Sequence, residues 1–507
     1  MTVPNELPID SRRGFLRLLA AGIGTAIGGT AIDAVENRPS SQQSPMLYES
    51  EGGDVSMALA GDAMITRPLN VFREPNFLAL RDLLLHADVR FANAEMLFHN
   101  YEDWPTDYTR TYARCNPRYL KDLQWFGINL LSCANNHAID FGQGGVVTNI
   151  RNLDEAGMVH AGSGSNYAEA LAPAYLETPK GRVALLAATS TGRHESRAGD
   201  QRRDMRGRPG VNLIRWINEW TIDKESLEVL KRVGWQFGTK RNLVDLRLER
   251  ANTPQYLIRD YGIAESQPGE AVYFADRNTL GQSIEDEVAR FVVGDSFERH
   301  TKIHRPDLER NLQSVKNARQ MAEWVIYSVH NHEYAGQDAD EPSEHIVELA
   351  HAVIDAGADV FVGHGPHTPR GIEIYKGKPI LYGVGDLIFE PETVLLVPED
   401  DYLRDGLGPT NTPADVADFR VSSGQHSTAG QEFFSVIPIV SFKNRQLQDI
   451  KIYPIDLGAG LPRSESGRPM LVEGDVANVV LQRVQRLSKS FATHVDIRGN
   501  VGVIQGA

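Results

Sequence analysis

The chain has 507 residues and a net charge of −15, with no lysine- or arginine-rich block. That length suits two or three domains or one elaborated domain, and the missing basic surface removes the electrostatic term of non-specific nucleic-acid binding, so nucleic acid is not expected as a partner. Two cysteines, Cys115 and Cys133, supply neither a disulfide framework nor a cysteine metal site, and the sequence leaves open whether they pair.

The first segment, "SRRGFLRLLAAGIGTAIGGTAI", sets Arg12 and Arg13 before Phe15 and Leu16 and a Gly/Ala-rich run. The run is about 15 residues long, too short to span a bilayer comfortably. The segment resembles a twin-arginine export signal, which implies a protein exported already folded to the periplasm or cell surface. No clean small-x-small site follows, so both cleavage and retention as an anchor stay open. Residues 1–34 are read as this signal and 35–53, rich in Ser, Pro and Gln, as a polar linker.

From residue 54 to 190, short apolar runs end in residues capable of chemistry: "DVSMALAGD" at Asp62, "VRFANAE" at Glu95, "GINLLSCANNH" at Asn135, Asn136 and His137. These runs have strand length. "VVTNIRNLDEAG" puts Val146, Val147, Ile150 and Leu153 on one helical face and stops at Gly157. The alternation predicts an α/β fold.

Residues 191–307 read as an insertion. Its first part, "TGRHESRAGDQRRDMRGRPGVN", is a loop leaving the strand "RVALLAATS", and His194, Arg197 and Arg208 are candidate contacts for an anionic substrate, since guanidinium groups bind phosphate and carboxylate bidentately. "EWTIDKESLEVLKRVG", "RNLVDLRLERA" and "SIEDEVARFVVGD" have helical spacing and predict an inserted helical cap.

From 308 onward the pattern resumes. "EWVIYSVHNHEY" ends with His330, His332 and Glu333, and "GADVFVGHGPH" with His364 and His367. The helix "SEHIVELAHAVIDAG" lies between them, with His345 and His351 expected to face solvent or cap a neighbour. "EFFSVIPIVSF" and "LQDIKIYPIDL" predict a hairpin. A last amphipathic helix is predicted to bury Val476, Val479, Val480, Val484 and Leu487.

Open α/β sheets bind ligands beyond the carboxyl ends of their strands, so these five strand ends can converge from distant parts of the chain. Six of the 15 histidines fall between 330 and 367. His332 shares the side of His330 by alternation, but falls where the strand should bend. Imidazoles with Asp62, Glu95 and an Asn carboxamide form a mixed N/O set suited to Mn, Fe or Zn in a one- or two-metal hydrolytic centre. His137 is placed to protonate a leaving group.

The blocks "GDAM", "NAE", "ANNHAIDFG", "LDEAGMVHAGSGSNYAEA", "SVHNHEY" and "GADVFVGHGPHTPRGIEIYKGKPILYGVGD" occur in the order of the capsule-biosynthesis protein A family. This resemblance covers about 54–190 and 308–392 and joins the chain to the calcineurin-like metallophosphoesterase superfamily and to poly-γ-glutamate synthesis. It implies a four-layer α/β/β/α sandwich with an inserted cap, the C-terminal hairpin closing the second sheet. By the same resemblance Asp62, Glu95, Asn136, His330, His364 and His367 are metal ligands for one or two divalent ions, and His137 is the proton donor. Glu333 would orient His330 or bind substrate.

The chain departs from the family pattern at four places. Met64 stands where a first-motif histidine is usual, Asn331 and His332 replace Trp-Gly, and Gly365 replaces a second histidine, leaving room for substrate. Asp386 replaces an Asn, adds a charge near the site and is a candidate substrate contact. The resemblance implies a metal-dependent hydrolase of a phosphoester or a γ-glutamyl amide, its substrate an anionic polymer or phosphoester. The alternatives are a non-catalytic component working with membrane-bound poly-γ-glutamate synthase subunits, and a binding protein on a degenerate metal site.

Overall fold

The computed structural model describes residues 54–107, 111–241, 259–263, 271–274, 289–427 and 430–506. The export signal and linker lie outside them, as do most of "RNLVDLRLERA" and the first six residues of "SIEDEVARFVVGD", up to Val288.

The chain is α/β. Val55–Met64, Val89–Asn93, Leu130–Ser132 and Val159–Ala161 run parallel in one sheet. Their near-continuous apolar runs fit strands covered on both faces. The predicted hairpin, Phe434–Lys443 with Gln446–Asp456, pairs antiparallel onto Val55–Met64. Its two-residue turn places Asn444 and Arg445 at φ of 50° and 64°, the left-handed values a tight hairpin turn demands. In a second sheet Gly181–Thr189, Trp324–His330, Val360–His364 and Lys378–Leu381 are parallel, with antiparallel strands at both edges.

Alternate side chains of a strand face opposite ways, and here each set has its own partners. Met57, Leu59 and Phe91 of the first sheet pack with Leu185, Trp324, Ile326 and Val362 of the second. Ala58, Ala92 and Leu131 instead meet Phe77, Leu80, Leu123 and Leu153, which come from helices. On the second sheet Leu186, Val325 and Phe361 meet Leu308 and Val315 of the helix Arg305–Arg319 and Leu349 and Val353 of Glu344–Asp355.

Two predicted faces need correction. In the helix Gly474–Ser488 the buried residues are Ala477, Val480, Leu481, Val484 and Leu487, while Val476 and Val479 are 41% and 67% exposed. The buried stripe follows spacings of three and four, and those two valines precede it by one residue, a rotation of about 100°. Val147 is likewise exposed in Gly142–Glu155.

The described part of 191–307 is also not chiefly helical. Its described residues form a four-stranded sheet in the order Ala271–Phe274, Ala289–Val293, Trp216–Ile222, Glu298–Ile303, beside one long helix, Lys224–Arg241. "EWTIDKESLEVLKRVG" straddles two elements. Its first four residues finish a strand, and the Asp223 carboxylate then caps the helix by accepting the Ser226 N–H at 2.7 Å. No helix among the described residues is long and apolar enough to cross a membrane.

Strand register lines up the residues of interest. Asp62 is level with Asn93 on one side and Asp386 on the other, and His330 with His364.

Candidate metal centre

The carboxyl ends of both sheets meet at a buried cluster. Three overlapping groups of side chains offer ligand atoms close enough to hold an ion: Asp62, His330 and His364; Glu95, His330 and His332; and Asp62, Glu95, His367 and Asp386. His330 joins the first two. Its Nδ1 lies 3.5 Å from Asp62 Oδ1 and 3.1 Å from His364 Nδ1, and its Nε2 lies 3.5 Å from Glu95 Oε1 and 3.0 Å from His332 Nε2.

Backbone and neighbouring side chains aim these groups. Asp62 Oδ1 accepts from Asn93 Nδ2 at 2.7 Å and Oδ2 from the Gly365 N–H at 2.8 Å. His364 Nε2 is 2.8 Å from Ser328 Oγ, leaving Nδ1 toward Asp62. His367 Nδ1 meets Asp386 Oδ1 at 2.9 Å from a backbone at φ 57°.

Several buried atoms here have no hydrogen-bond partner: both oxygens of Glu95, Oδ2 of Asp386 and Oδ1 of Asn136. Unpartnered buried carboxylate oxygens are costly. Paired imidazole nitrogens about 3 Å apart are the donor set a divalent cation satisfies, so the residues fit a metal.

The electrostatics agree. Burial would raise the Asp62 carboxyl, but His364 and His330 outweigh it and hold it well below the usual carboxylate range. Burial and the Asp62 charge push Glu95 well above that range, and burial lifts Asp386 to about 6 against the pull of His367. Burial lowers His330 to about 4 and also depresses His332, which favours the neutral, ligating imidazole. Burial would depress His367 too, yet Asp386 and Glu95 raise it well above the ordinary value.

Of the predicted ligands, Asp62, Glu95, His330, His364 and His367 are thus brought together. Asn136 stands at the start of the turn Asn136–Ile139 with its buried Oδ1 unused, while Asn135 caps that turn by accepting the His137 N–H at 3.1 Å. His137 puts Nε2 3.9 Å from Glu95 Oε1. Glu333 takes hydroxyls from Ser190 (2.6 Å) and Thr191 (2.7 Å).

Other positions differ from expectation. Asp386, read as a substrate contact, falls inside a metal-capable group, and so does His332. Arg197 and Arg208 are not brought to the centre. The Arg197 guanidinium lies over the Tyr167 ring at 4.8 Å and 3.6 Å from Asp307, and Arg208 donates to the Arg197 carbonyl. The His194 side chain lies outside the described residues, although its turn, His194–Ser196, packs beside Asn136–Ile139. His345, expected at the surface or as a cap, is fully buried against Trp216. His351 pairs with Glu373. Gly365 has a tighter reason than room for substrate: at φ 109°, a Cβ there would sit 2.7 Å from the Asn331 carbonyl oxygen. Both cysteines are buried free thiols.

Sequence reasoning missed Asn93 and Asp140. Asn93 had a signal, since it lies two residues before Glu95 and alternation turns both to one side.

Buried carboxylates and imidazoles able to hold a metal ion, set at the ends of parallel strands, define an α/β protein with a candidate metal centre. The chain belongs to the family described as bacterial capsule synthesis protein PGA_cap, which it matches over residues 53–391. It is 31% identical over 462 residues to an uncharacterized protein y4sH of Sinorhizobium fredii (strain NBRC 101917 / NGR234), covering 89% of this chain and 93% of that one. It is 28% identical over 287 residues to a probable polyglutamine synthesis accessory protein of Mycobacterium tuberculosis, 55% of this chain and 50% of that one. A shorter match, 36% over 85 residues, joins it to the PGA biosynthesis protein CapA of Bacillus subtilis, over 17% of this chain and 21% of that one.

Proposed function

We propose that this chain is an exported, metal-dependent hydrolase of capsule polymer synthesis, with one or two divalent cations (Mn, Fe or Zn) at the strand-end centre and a phosphoester or γ-glutamyl amide as substrate. The observation that carries the reading is Glu95: a fully buried carboxylate with neither oxygen hydrogen-bonded among the described residues, shared by two of the metal-capable groups. A divalent cation bound there would supply an acidified water and polarise the oxygen of the bond to be cut. Asp62, Glu95, His330, His332, His364, His367 and Asp386 would hold it, with Asn136 Oδ1 as a further ligand. His137, fixed through Nδ1, turns Nε2 toward the centre and is read as the donor of the leaving group's proton.

The apolar cluster between the two sheets, with helices on their far faces, supports the four-layer α/β/β/α sandwich of metallophosphoesterases. The 191–307 segment is read as its cap. Export rests on Arg12, Arg13 and the run after them. The names of the Mycobacterium and Bacillus relatives support work alongside polymer synthesis, with membrane-bound synthase subunits as partners. The word "accessory" in the former favours a second reading, a non-catalytic component that binds polymer or synthase.

The test is elemental analysis of gently purified protein, wild type against a His364→Ala, His367→Ala double variant, followed by assays with bis(p-nitrophenyl) phosphate and γ-glutamyl-p-nitroanilide. One or two cations per chain, lost in the double variant, with turnover abolished by His137→Ala, is the hydrolase outcome. Bound metal without turnover of either compound would favour the accessory role, and a chain that cannot be loaded would sink the metal reading.

A further inference from the structure

The inserted sheet sets one arginine against Tyr334, two residues along the chain from His332 of the metal-capable cluster. Arg299 is level with Trp220 in the pairing of Glu298–Ile303 with Trp216–Ile222, and Trp216 lies on the same face. The Arg299 guanidinium carbon is 6.0 Å from the Trp216 ring, 5.9 Å from Trp220 and 5.5 Å from Tyr334, within the range of cation–π attraction. Its Nε donates to Asn218 Oδ1 at 2.8 Å, which fixes the plane. Among the described residues it has no ion pair. Arg197 and Arg215, by contrast, converge on Asp307.

This cluster and the metal ligands hang on the same two loop residues. The Ser190 carbonyl accepts the Trp216 indole N–H at 3.1 Å and its hydroxyl donates to Glu333. Thr191 Oγ1 accepts the His332 N–H at 2.7 Å. Tyr334, 37% exposed, comes two residues after His332, at most about 7 Å of chain. From behind, the buried His345 ring lies flat on Trp216, 4.8 Å away with 9° between planes, so the indole is locked on both sides.

We propose that Arg299, framed by Trp216, Trp220 and Tyr334, is an oxyanion-binding subsite that takes a carboxylate or phosphate of the substrate while another part of the same molecule reaches the metal centre. The proposal rests on the metal-hydrolase reading for that second contact, though the subsite itself needs no cation. A planar guanidinium with its Nη atoms uncommitted is preset for bidentate binding of either anion. In a chain of net charge −15 an unpaired guanidinium held by aromatic rings gives local attraction where the general field repels anions.

The test is isothermal titration calorimetry on the full chain, Mn-loaded and EDTA-treated, with inorganic phosphate and with a γ-glutamyl pentapeptide as separate probes. Arg299→Gln is expected to weaken at least one probe by about tenfold or more and to flatten its salt dependence, with metal content unchanged. Arg299→Lys, which keeps the charge but not the plane, should fall between. The probe that suffers more tells carboxylate from phosphate. Trp220→Leu keeps Arg299 but loosens its frame, and should weaken the same probe several-fold, so it serves if Arg299→Gln folds poorly. Equal affinity of wild type and Arg299→Gln for both probes would overturn the subsite while leaving a metal-bearing chain's hydrolase reading intact. So would failure of wild type to bind either probe. Loss of affinity in EDTA-treated Arg299→Gln, in a chain that takes up no metal, would keep the subsite and remove the hydrolase.

Discussion

His137 and Asp140 face each other across a single turn, Nδ1 to Oδ2 at 2.8 Å, and Asp140 is fully buried with the same oxygen accepting the Ala113 N–H at 2.8 Å. The pairing sets Nε2 of His137 as the nitrogen that points to Glu95 and the centre. Which nitrogen carries the proton is thus fixed by Asp140, a positioning residue.

Replacing Asp140 by Asn is the test of that relationship. The carboxamide can turn its N–H₂ toward Nδ1, which holds the ring as the neutral Nε2–H tautomer and removes the anion that supports the imidazolium, the form able to release a proton from Nε2. Turnover of bis(p-nitrophenyl) phosphate is expected to fall about 10²- to 10⁴-fold, with bound metal unchanged and an altered pH–rate profile. Wild-type turnover in Asp140→Asn would remove the pair from the mechanism.

Glu95 makes stability depend on metal. Among the described residues neither of its two buried oxygens has a hydrogen-bond partner, so the metal-free chain bears much of their desolvation. EDTA-treated Glu95→Gln is expected to melt at or above EDTA-treated wild type. On adding Mn the order reverses: ligand at a hundred times its Kd stabilises the wild type by about 2.7 kcal/mol, and the variant gains little. Scanning calorimetry with and without metal reads both. Equal metal-linked shifts in the two proteins would take Glu95 out of the centre.

The strand-end residues were legible in the sequence because a parallel strand is a short apolar run and the residue that stops it is easy to see. Asp62, Glu95, His330, His364 and His367 were found in this way. Asp386 is legible only as a charge near the site and a candidate substrate contact, because only the register Asp62↔Asp386 shows that it stands beside Asp62. Arg197 misled for a related reason. Its partner Asp307 is 110 residues away, and nothing local announces that a loop arginine is already committed. In the insertion, strands such as "WINEWTI" and "ERHTKI" carry charged and polar residues on both faces, so neither period stands out and the helical spacing of the next segment dominates.

Gly365 is expected to resist substitution. Its N–H holds Asp62 Oδ2 at 2.8 Å, its φ is 109°, and a Cβ would lie 2.7 Å from the oxygen and 2.9 Å from the nitrogen of Asn331. Gly365→Ala must therefore shift the 364–367 turn, at a cost on the order of 1–3 kcal/mol, and move His364 and His367 with it. Urea unfolding of the metal-free proteins reads the cost, and Mn titration should show weaker binding. Unchanged metal affinity would mean the turn adjusts without disturbing the ligands.

His345 should make the fold sensitive to mild acid. The ring is fully buried, neither nitrogen has a hydrogen-bond partner, and burial together with nearby Arg299 lowers its pKa to about 3. In the unfolded chain a histidine titrates near 6.5, so between about pH 6.5 and pH 3 the unfolded state binds a proton that the folded state refuses. Stability is therefore full above about pH 6.5 and falls as pH drops through that window, by about 1.4 kcal/mol per pH unit from this group alone. His345→Phe keeps a ring against Trp216 and removes the titration. Between pH 7 and pH 5 the wild type is expected to lose about 2 kcal/mol more than the variant in urea unfolding, measured without metal in both. Parallel losses in the two proteins would show that His345 takes up its proton in the folded state without penalty, and the acid sensitivity would then belong to the metal-centre histidines instead.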